Sequence, residues 1–230
     1  MSPSDYTRSC RSPKCRVNHG RVMNQQQLLS RFILAPTADY DESHQLRVRQ
    51  HLAAHSLTTQ QHRSPFKPAA VLISLVPRNN TFNVVLTQRA HHLKHHPGQV
   101  AFPGGKKEHS DVDLIDTALR ETYEETGIIC NRDNILGQLP PLPTISGYVV
   151  TPYLSTISPH YSPTLDRNEV DSLFEVPLEY LINPLNIKSH KFPVNGHLHD
   201  IYSISFSKYS IWGATAQMIK ILSMQLWHEI

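Results

Sequence analysis

Arg120, Glu121, Glu124 and Glu125 fall within six positions, with the glutamates at i, i+3 and i+4. On a helix that spacing sets three carboxylates on adjoining faces, where they repel one another in water. Hard divalent cations such as Mg²⁺ or Mn²⁺ take oxygen ligands and relieve that repulsion. Upstream, Gly98-Gln99-Val100-Ala101-Phe102-Pro103-Gly104-Gly105 runs into a glycine pair. Pro103 restricts φ, and the glycines permit backbone approaches that a Cβ would block. Clustered carboxylates beside such a loop suit a divalent metal ion and a phosphate group, whose negative charge the metal would help neutralise. The competing assignment is a solvated acidic helix face.

Several elements must position these residues. Asp113 is the expected N-cap, with Asp116 at N3 completing a variant of the capping box. Leu114, Ile115, Ala118 and Leu119 supply an apolar side, and Gly127 is the expected C-cap. Arg120 and Glu124 are i,i+4 partners, so the arginine orients a carboxylate. Residues 69–76 (AAVLISLV) form an apolar run suited to a strand buried on both faces. A turn at Pro77–Asn80 and a strand over 82–88 complete a hairpin, and a short strand covers Val100–Phe102.

Downstream, strands are expected over 135–139, 148–157 (interrupted at Pro152) and 170–176. A short helix starts at Leu178, a hairpin turns at Asn195-Gly196, and a closing helix spans Ile211–Trp227. Residues 23–34 read as an amphipathic helix stopped by Pro36, with a second short helix near 42–53.

Composition narrows the function. The apolar fraction of 39% and charged fraction of 18% in 230 residues allow a proper core. The net charge of +3 is local. Arg8, Arg11, Lys14, Arg16 and Arg21 stand against Asp5 alone in residues 1–22, and the remainder carries 17 basic and 18 acidic side chains. That balance, with only Tyr6 interleaved in the basic stretch, disfavours nucleic-acid binding. No apolar run approaches the ~20 residues of a membrane span. Residues 1–22 read as a disordered basic tail, a transit-like segment or a mis-assigned start, leaving 23–230 as a single domain. Cys10, Cys15 and Cys130 do not make a disulfide scaffold, which fits a reducing, cytoplasmic setting. His91, His92, His95 and His96 crowd one loop, but no acid or cysteine interleaves with them in a metal-binding pattern.

Arg120-Glu121-Thr122-Tyr123-Glu124-Glu125-Thr126-Gly127-Ile128 resembles the second half of the Nudix hydrolase box. Thr122 stands where an aliphatic residue is usual. Gly105 lies one residue farther from Arg120 than the general pattern has it. Val112 therefore occupies the register of the box's first glutamate, with Asp111 one place earlier. The longer loop resembles the coenzyme A pyrophosphatase branch. So do Leu86-Thr87-Gln88-Arg89, Leu93, His96 and Gly98–Gly105, and downstream Leu139-Pro140-Pro141, Gly147-Tyr148, Glu169-Val170, Phe174–Leu178 and Trp212-Gly213-Ala214-Thr215-Ala216.

The resemblance implies an α/β fold, an α/β/α sandwich with a mixed central sheet. It implies cleavage of coenzyme A, or its oxidised or acylated forms, to 3′,5′-ADP and 4′-phosphopantetheine or a derivative. The alternatives are a Nudix hydrolase of ADP-ribose, NADH or another nucleoside diphosphate derivative, and an inactive Nudix-fold binding domain. Glu121, Glu124 and Glu125 are the expected ligands of Mg²⁺ or Mn²⁺, with Asp111 a fourth candidate. Arg120 orients the carboxylates. The water-activating base is Glu121 or Glu125 on the helix, or Glu169 before a strand. Arg89, His96, Gln99, Gly104 and Gly105 are the candidate substrate contacts, and Lys94 and His95 join Arg89 in a phosphate clamp. The expected partner is a small molecule, and the expected assembly a monomer or homodimer.

Overall fold

A computed structural model describes residues 24–34, 66–144, 146–194 and 197–226. The expected basic tail with Cys10 and Cys15, the helix near 42–53, the stop at Pro36, the Asn195-Gly196 turn and the end of the last helix at Trp227 lie outside them.

Helix α1 (Gln25–Leu34) precedes the hairpin of β1 (Lys67–Arg78) and β2 (Thr81–Arg89). Two short strands, β3 (Val100–Ala101) and β4 (Gly104–Lys106), lead into the acidic helix α2 (Leu114–Thr126). Then come β5 (Ile135–Gln138), β6 (Leu142–Pro143), β7 (Tyr148–Thr156), β8 (Val170–Pro177) and the one-turn helix α3 (Leu178–Ile182). The chain continues through β9 (Lys188–Val194), β10 (His197–Phe206), β11 (Tyr209–Trp212) and helix α4 (Ala214–Leu226).

The central sheet runs β3-β2-β1-β7-β5, with β4 added to β1, β6 to β7 and β8 to β2. It is mixed: β7 lies parallel to β1, while β2 and β4 are antiparallel to it. β1 is buried on both faces, as its unbroken apolar run requires. Ala70 and Leu72 pack with Ala118 of α2, whereas Ile73 and Leu75 join a larger core with Leu28 and Phe32 of α1 and Ile219 and Leu222 of α4. This is the expected α/β/α sandwich. Strands β11, β10 and β9 form a second, antiparallel sheet. No described helix is long and apolar enough to cross a membrane.

Four boundaries differ from expectation. The first hairpin turn is only Asn79-Asn80, at φ 46° and 62°, because asparagine tolerates the left-handed region that a two-residue turn needs. Pro152 does not interrupt β7. Its carbonyl accepts the Leu139 N–H at 2.9 Å. Its missing N–H falls between the last pairing of β5, Gln138↔Tyr153, and the first of β6, Leu142↔Val150, at the changeover between two partner strands, where a proline is tolerated. Gly104-Gly105 is a strand rather than a turn, paired with Val71 and Ala70 of β1. The last helix starts at Ala214, since Ile211 and Trp212 pair with Ile204 and Ser203 in β11 and Gly213 turns the chain at φ 67°.

Candidate active site

Helix α2 is fixed at both ends by local chemistry. Asp113 has extended backbone and accepts the N–H groups of Ile115 at 2.9 Å and Asp116 at 3.0 Å. Gly127, at φ 68°, donates its N–H to the Tyr123 carbonyl at 2.7 Å. The capping box does not close as expected: the Asp116 carboxylate takes the Val112 N–H at 3.3 Å, and Arg132 pairs with both Asp113 and Asp116. Thr122 is fully buried in its aliphatic position, and its hydroxyl donates to the Ala118 carbonyl at 2.7 Å. That back-bond satisfies the one polar group the substitution brings into the core.

Strand β4 forms the floor under two of the glutamates. A Cβ on Gly105 would stand 2.5 Å from Cδ of Glu121, so the bare backbone here makes room for that carboxylate. Gly104 adopts φ 154°, and a Cβ there would lie 2.3 Å from the Ala70 carbonyl oxygen of β1. Its N–H points at Oε2 of Glu125 from 3.4 Å. The two glycines named as substrate contacts thus seat the acidic helix against the sheet.

Glu125 is buried, and its nearest cation is Arg89, with Nη1 4.0 Å from Oε1. Burial pushes its carboxyl up to about 8; Arg89 opposes the shift, and the charges of Glu169 and Glu121 add to it. Burial also raises the half-buried Glu121 carboxyl, against the pull of Arg120 and with help from Glu124 and Glu169. Folding thus brings Glu169, 44 residues beyond Glu125 in sequence, into the same electrostatic neighbourhood. The segment before Glu169 is stitched to the end of α2. Thr164 N–H donates to the Thr126 carbonyl at 2.8 Å and Asp166 N–H to the Glu125 carbonyl at 3.1 Å. Sequence reasoning missed Thr164 and Asp166, because these contacts use backbone atoms and carry no residue-type signal.

Arg120 gathers the remaining carboxylates. Its Nη1 reaches Glu121 Oε1 at 3.0 Å and the largely exposed Glu124 at 2.8 Å. Nε and Nη2 grip Asp111 at 2.9 and 3.0 Å. Asp111 also accepts the Glu108 N–H at 2.8 Å and the Thr117 hydroxyl at 2.9 Å. Arg120 foremost holds its carboxyl well below the usual carboxylate range. Both oxygens of this candidate metal ligand are therefore engaged by protein donors. Val112, in the strict register, points into solvent at 84% exposure.

The histidine loop closes on the end of β2. Arg89 N–H donates to the Gln99 carbonyl at 2.9 Å, Gly98 N–H to the Arg89 carbonyl at 3.1 Å, and Gln99 N–H to the His96 carbonyl at 3.2 Å. His91, His92, Lys94, His95 and His96 are all exposed. Gly98, at φ 69°, lies under the His91 ring, where a Cβ would approach Cε1 to 2.7 Å.

Among the described residues, no group of three His, Cys, Asp or Glu side chains is placed to hold a metal ion unaided. The donor chemistry nevertheless fits Mg²⁺ or Mn²⁺. Glu121 and Glu125 are neighbouring carboxylates whose burial outweighs the pull of Arg120 and Arg89, over a glycine floor that leaves the Glu121 carboxylate room. Mg²⁺ binds through one or two carboxylates and fills its shell with water and substrate phosphate, so a complete protein cage is not required.

The NUDIX domain family matches residues 65–195. A protein of Enterobacter sp. (strain 638), described as uncharacterized Nudix hydrolase NudL, is 39% identical over 165 residues, spanning 70% of this chain and 83% of its own. Its namesake from Shigella flexneri serotype 5b (strain 8401) is 37% identical over 177 residues, spanning 74% and 89%. A solved MutT/nudix family protein from Enterococcus faecalis is 17% identical with a TM-score of 0.48, covering 88% of this chain and 73% of that one. With more than half its length matched by the family and the two NudL proteins above one third identical over most of theirs, the chain belongs to the Nudix hydrolase family.

Proposed function

We propose that this Nudix hydrolase cleaves the diphosphate linkage of a nucleoside diphosphate derivative with the help of Mg²⁺ or Mn²⁺. The observation that carries the reading is the seating of Glu121 and Glu125 over the Gly104-Gly105 floor, with Arg120 and Arg89 beside them. Glu121, Glu124 and Glu125 would hold the metal. When bound, it supplies Lewis-acid polarisation of phosphoryl oxygens and lowers the pKa of water. Arg120, anchored by Asp111, keeps Glu121 and Glu124 on one side of the helix. Arg89 and the flanking Lys94, His95 and His96 grip phosphate oxygens, arginine being suited to bidentate contact. Water attacks one phosphorus and the bridging P–O bond breaks. Glu121, Glu125 or Glu169 takes the water's proton.

The relatives favour this broad class over any single substrate, since the names of the NudL proteins carry none. Within the class, coenzyme A is the reading supported by the Gly98–Gly105 stretch and the longer loop, with ADP-ribose and NADH as its competitors. The deciding experiment incubates the full chain separately with each of the three and Mg²⁺ or Mn²⁺, and identifies products by chromatography. Coenzyme A is expected to yield 3′,5′-ADP. Turnover of ADP-ribose without coenzyme A would sink the narrower reading, and no turnover of any such compound would sink the enzyme.

A further inference from the structure

The connection between β7 and β8, residues 157–169, carries no helix or strand, yet it delivers Glu169 to the carboxylate centre. It is held at several points. Near its start, the Tyr161 hydroxyl donates to the Glu175 carboxylate at 2.9 Å. Arg78 pairs with the same carboxylate at 2.6 Å and donates to the Pro159 carbonyl at 2.6 Å. Farther on, the Thr164 N–H is bound to the Thr126 carbonyl at the end of α2. The last tie is Asp166, and it differs in kind: its N–H, its carbonyl and a carboxylate oxygen are all engaged.

The Asp166 N–H donates to the Glu125 carbonyl at 3.1 Å, which fastens this residue to the backbone of the buried glutamate itself. The Asp166 carbonyl accepts two N–H groups, from Glu169 at 3.0 Å and Val170 at 2.8 Å. Its Oδ1 accepts the Asn168 N–H and the Asn168 side-chain amide, both at 2.9 Å. Aspartate favours such a turn because its short side chain reaches an N–H two residues on. The turn ends at Glu169, whose own carbonyl takes the Ala90 N–H at 2.8 Å, next to Arg89. Glu169 is therefore bound on one side, through Asp166, to the residue carrying the Glu125 carboxylate. On the other side it is bound to the strand end that brings Arg89 to the same carboxylate.

We infer that Asp166 is a positioning residue, whose carboxylate oxygen holds the turn that sets Glu169 against Glu121 and Glu125. The inference rests on the function proposed above, in which Glu169 is among the groups that take the water's proton. What the turn needs at residue 166 is a hydrogen-bond acceptor on a short side chain, not a negative charge, so an amide can replace the carboxylate. A proton acceptor works through its distance and angle to the water, and an error of about 1 Å can cost on the order of 100-fold in rate. In this role Asp166 acts only through Glu169 and makes no contact with substrate.

The test compares Asp166→Ala and Asp166→Asn in the full chain by two measurements. The first is amide hydrogen exchange without metal or substrate. Asp166→Ala should speed exchange at Glu169 and Val170 about 5-fold, the scale of losing one side-chain cap, while Asp166→Asn keeps the wild-type rate. The second is turnover of coenzyme A, ADP-ribose and NADH with Mg²⁺. Asp166→Ala should lower kcat roughly 10-fold or more with KM within about twofold of wild type, and Asp166→Asn should restore most of the rate. In a Glu169→Gln background, Asp166→Ala should cost nothing further. Wild-type exchange in Asp166→Ala overturns the inference. So does Asp166→Asn turning over as slowly as Asp166→Ala, which would make the charge the operative feature. An undiminished loss in the Glu169→Gln background also overturns it, since Asp166 would then act elsewhere. If exchange changes as expected but wild type hydrolyses none of the three compounds, the positioning of Glu169 stands and the proposed activity fails.

Discussion

The guanidinium of Arg120 grips the carboxylate of Asp111 with two bonds, Nε to Oδ1 at 2.9 Å and Nη2 to Oδ2 at 3.0 Å. The extra residue in the loop places Asp111 where it steadies the arginine, and leaves Val112 in solvent. Asp111→Asn is expected to cost about 2 kcal/mol in chemical denaturation, the scale of charge-assisted hydrogen bonds. The carboxyl is held below its usual range in the fold. The pair's contribution is therefore complete above about pH 4 and declines as pH falls further. Wild type and Asp111→Asn should converge in stability under acid; a constant gap down to pH 2 would contradict the pairing.

Gly105→Ala places a methyl 2.5 Å from Glu121 Cδ and forces that carboxylate aside. A displacement of about 1 Å at a reacting group can cost on the order of 100-fold in rate. The expected outcome is a large loss of turnover with a thermal midpoint close to wild type. Full activity would show that Glu121 need not occupy the glycine floor.

Glu125→Gln separates activity from stability. The buried carboxyl titrates near 8 in the fold, so between about pH 4.5 and 8 the folded protein gives up stability as pH rises. The neutral amide escapes that penalty. Without divalent metal at pH 8, the variant should be more stable than wild type by ~1–2 kcal/mol. Its hydrolysis should fall by at least roughly 100-fold. A variant less stable than wild type at every pH would refute the account of this site.

Gly127→Ala tests the stitch between α2 and the segment leading to Glu169. The substitution strains a residue at φ 68° and brings a Cβ within 2.9 Å of the Thr164 backbone nitrogen. A loss of about 1–3 kcal/mol is expected from the backbone conformation. Turnover should fall further than Michaelis constant rises, because Glu169 moves relative to Glu125. Kinetics on a folded sample check this, and an unaltered rate would detach Glu169 from the reaction.

Much of this protein is legible in its sequence because caps and periodic faces are settled by atoms a few residues apart. Asp113 and Gly127 end the acidic helix, Arg120 meets Glu124 one turn on, and β1 is buried on both faces, each as its local pattern demands. The boundaries that differ have nonlocal causes. Gly104-Gly105 becomes a strand because β1 offers it a ladder, and Trp212 leaves the last helix because β10 does.

The acidic site divides in the same way. The spacing of Glu121, Glu124 and Glu125 determines that three carboxylates share one helix. Only tertiary structure decides that Glu125 is buried, that Glu121 fits over Gly105, that Asp111 belongs to Arg120 and that Glu169 adds its charge. Those relationships depend on α2 lying against β1 and on β8 pairing with β2, which bring together residues far apart in the chain. Desolvation and charge repulsion act through space, so what the carboxylates can do is settled by that packing.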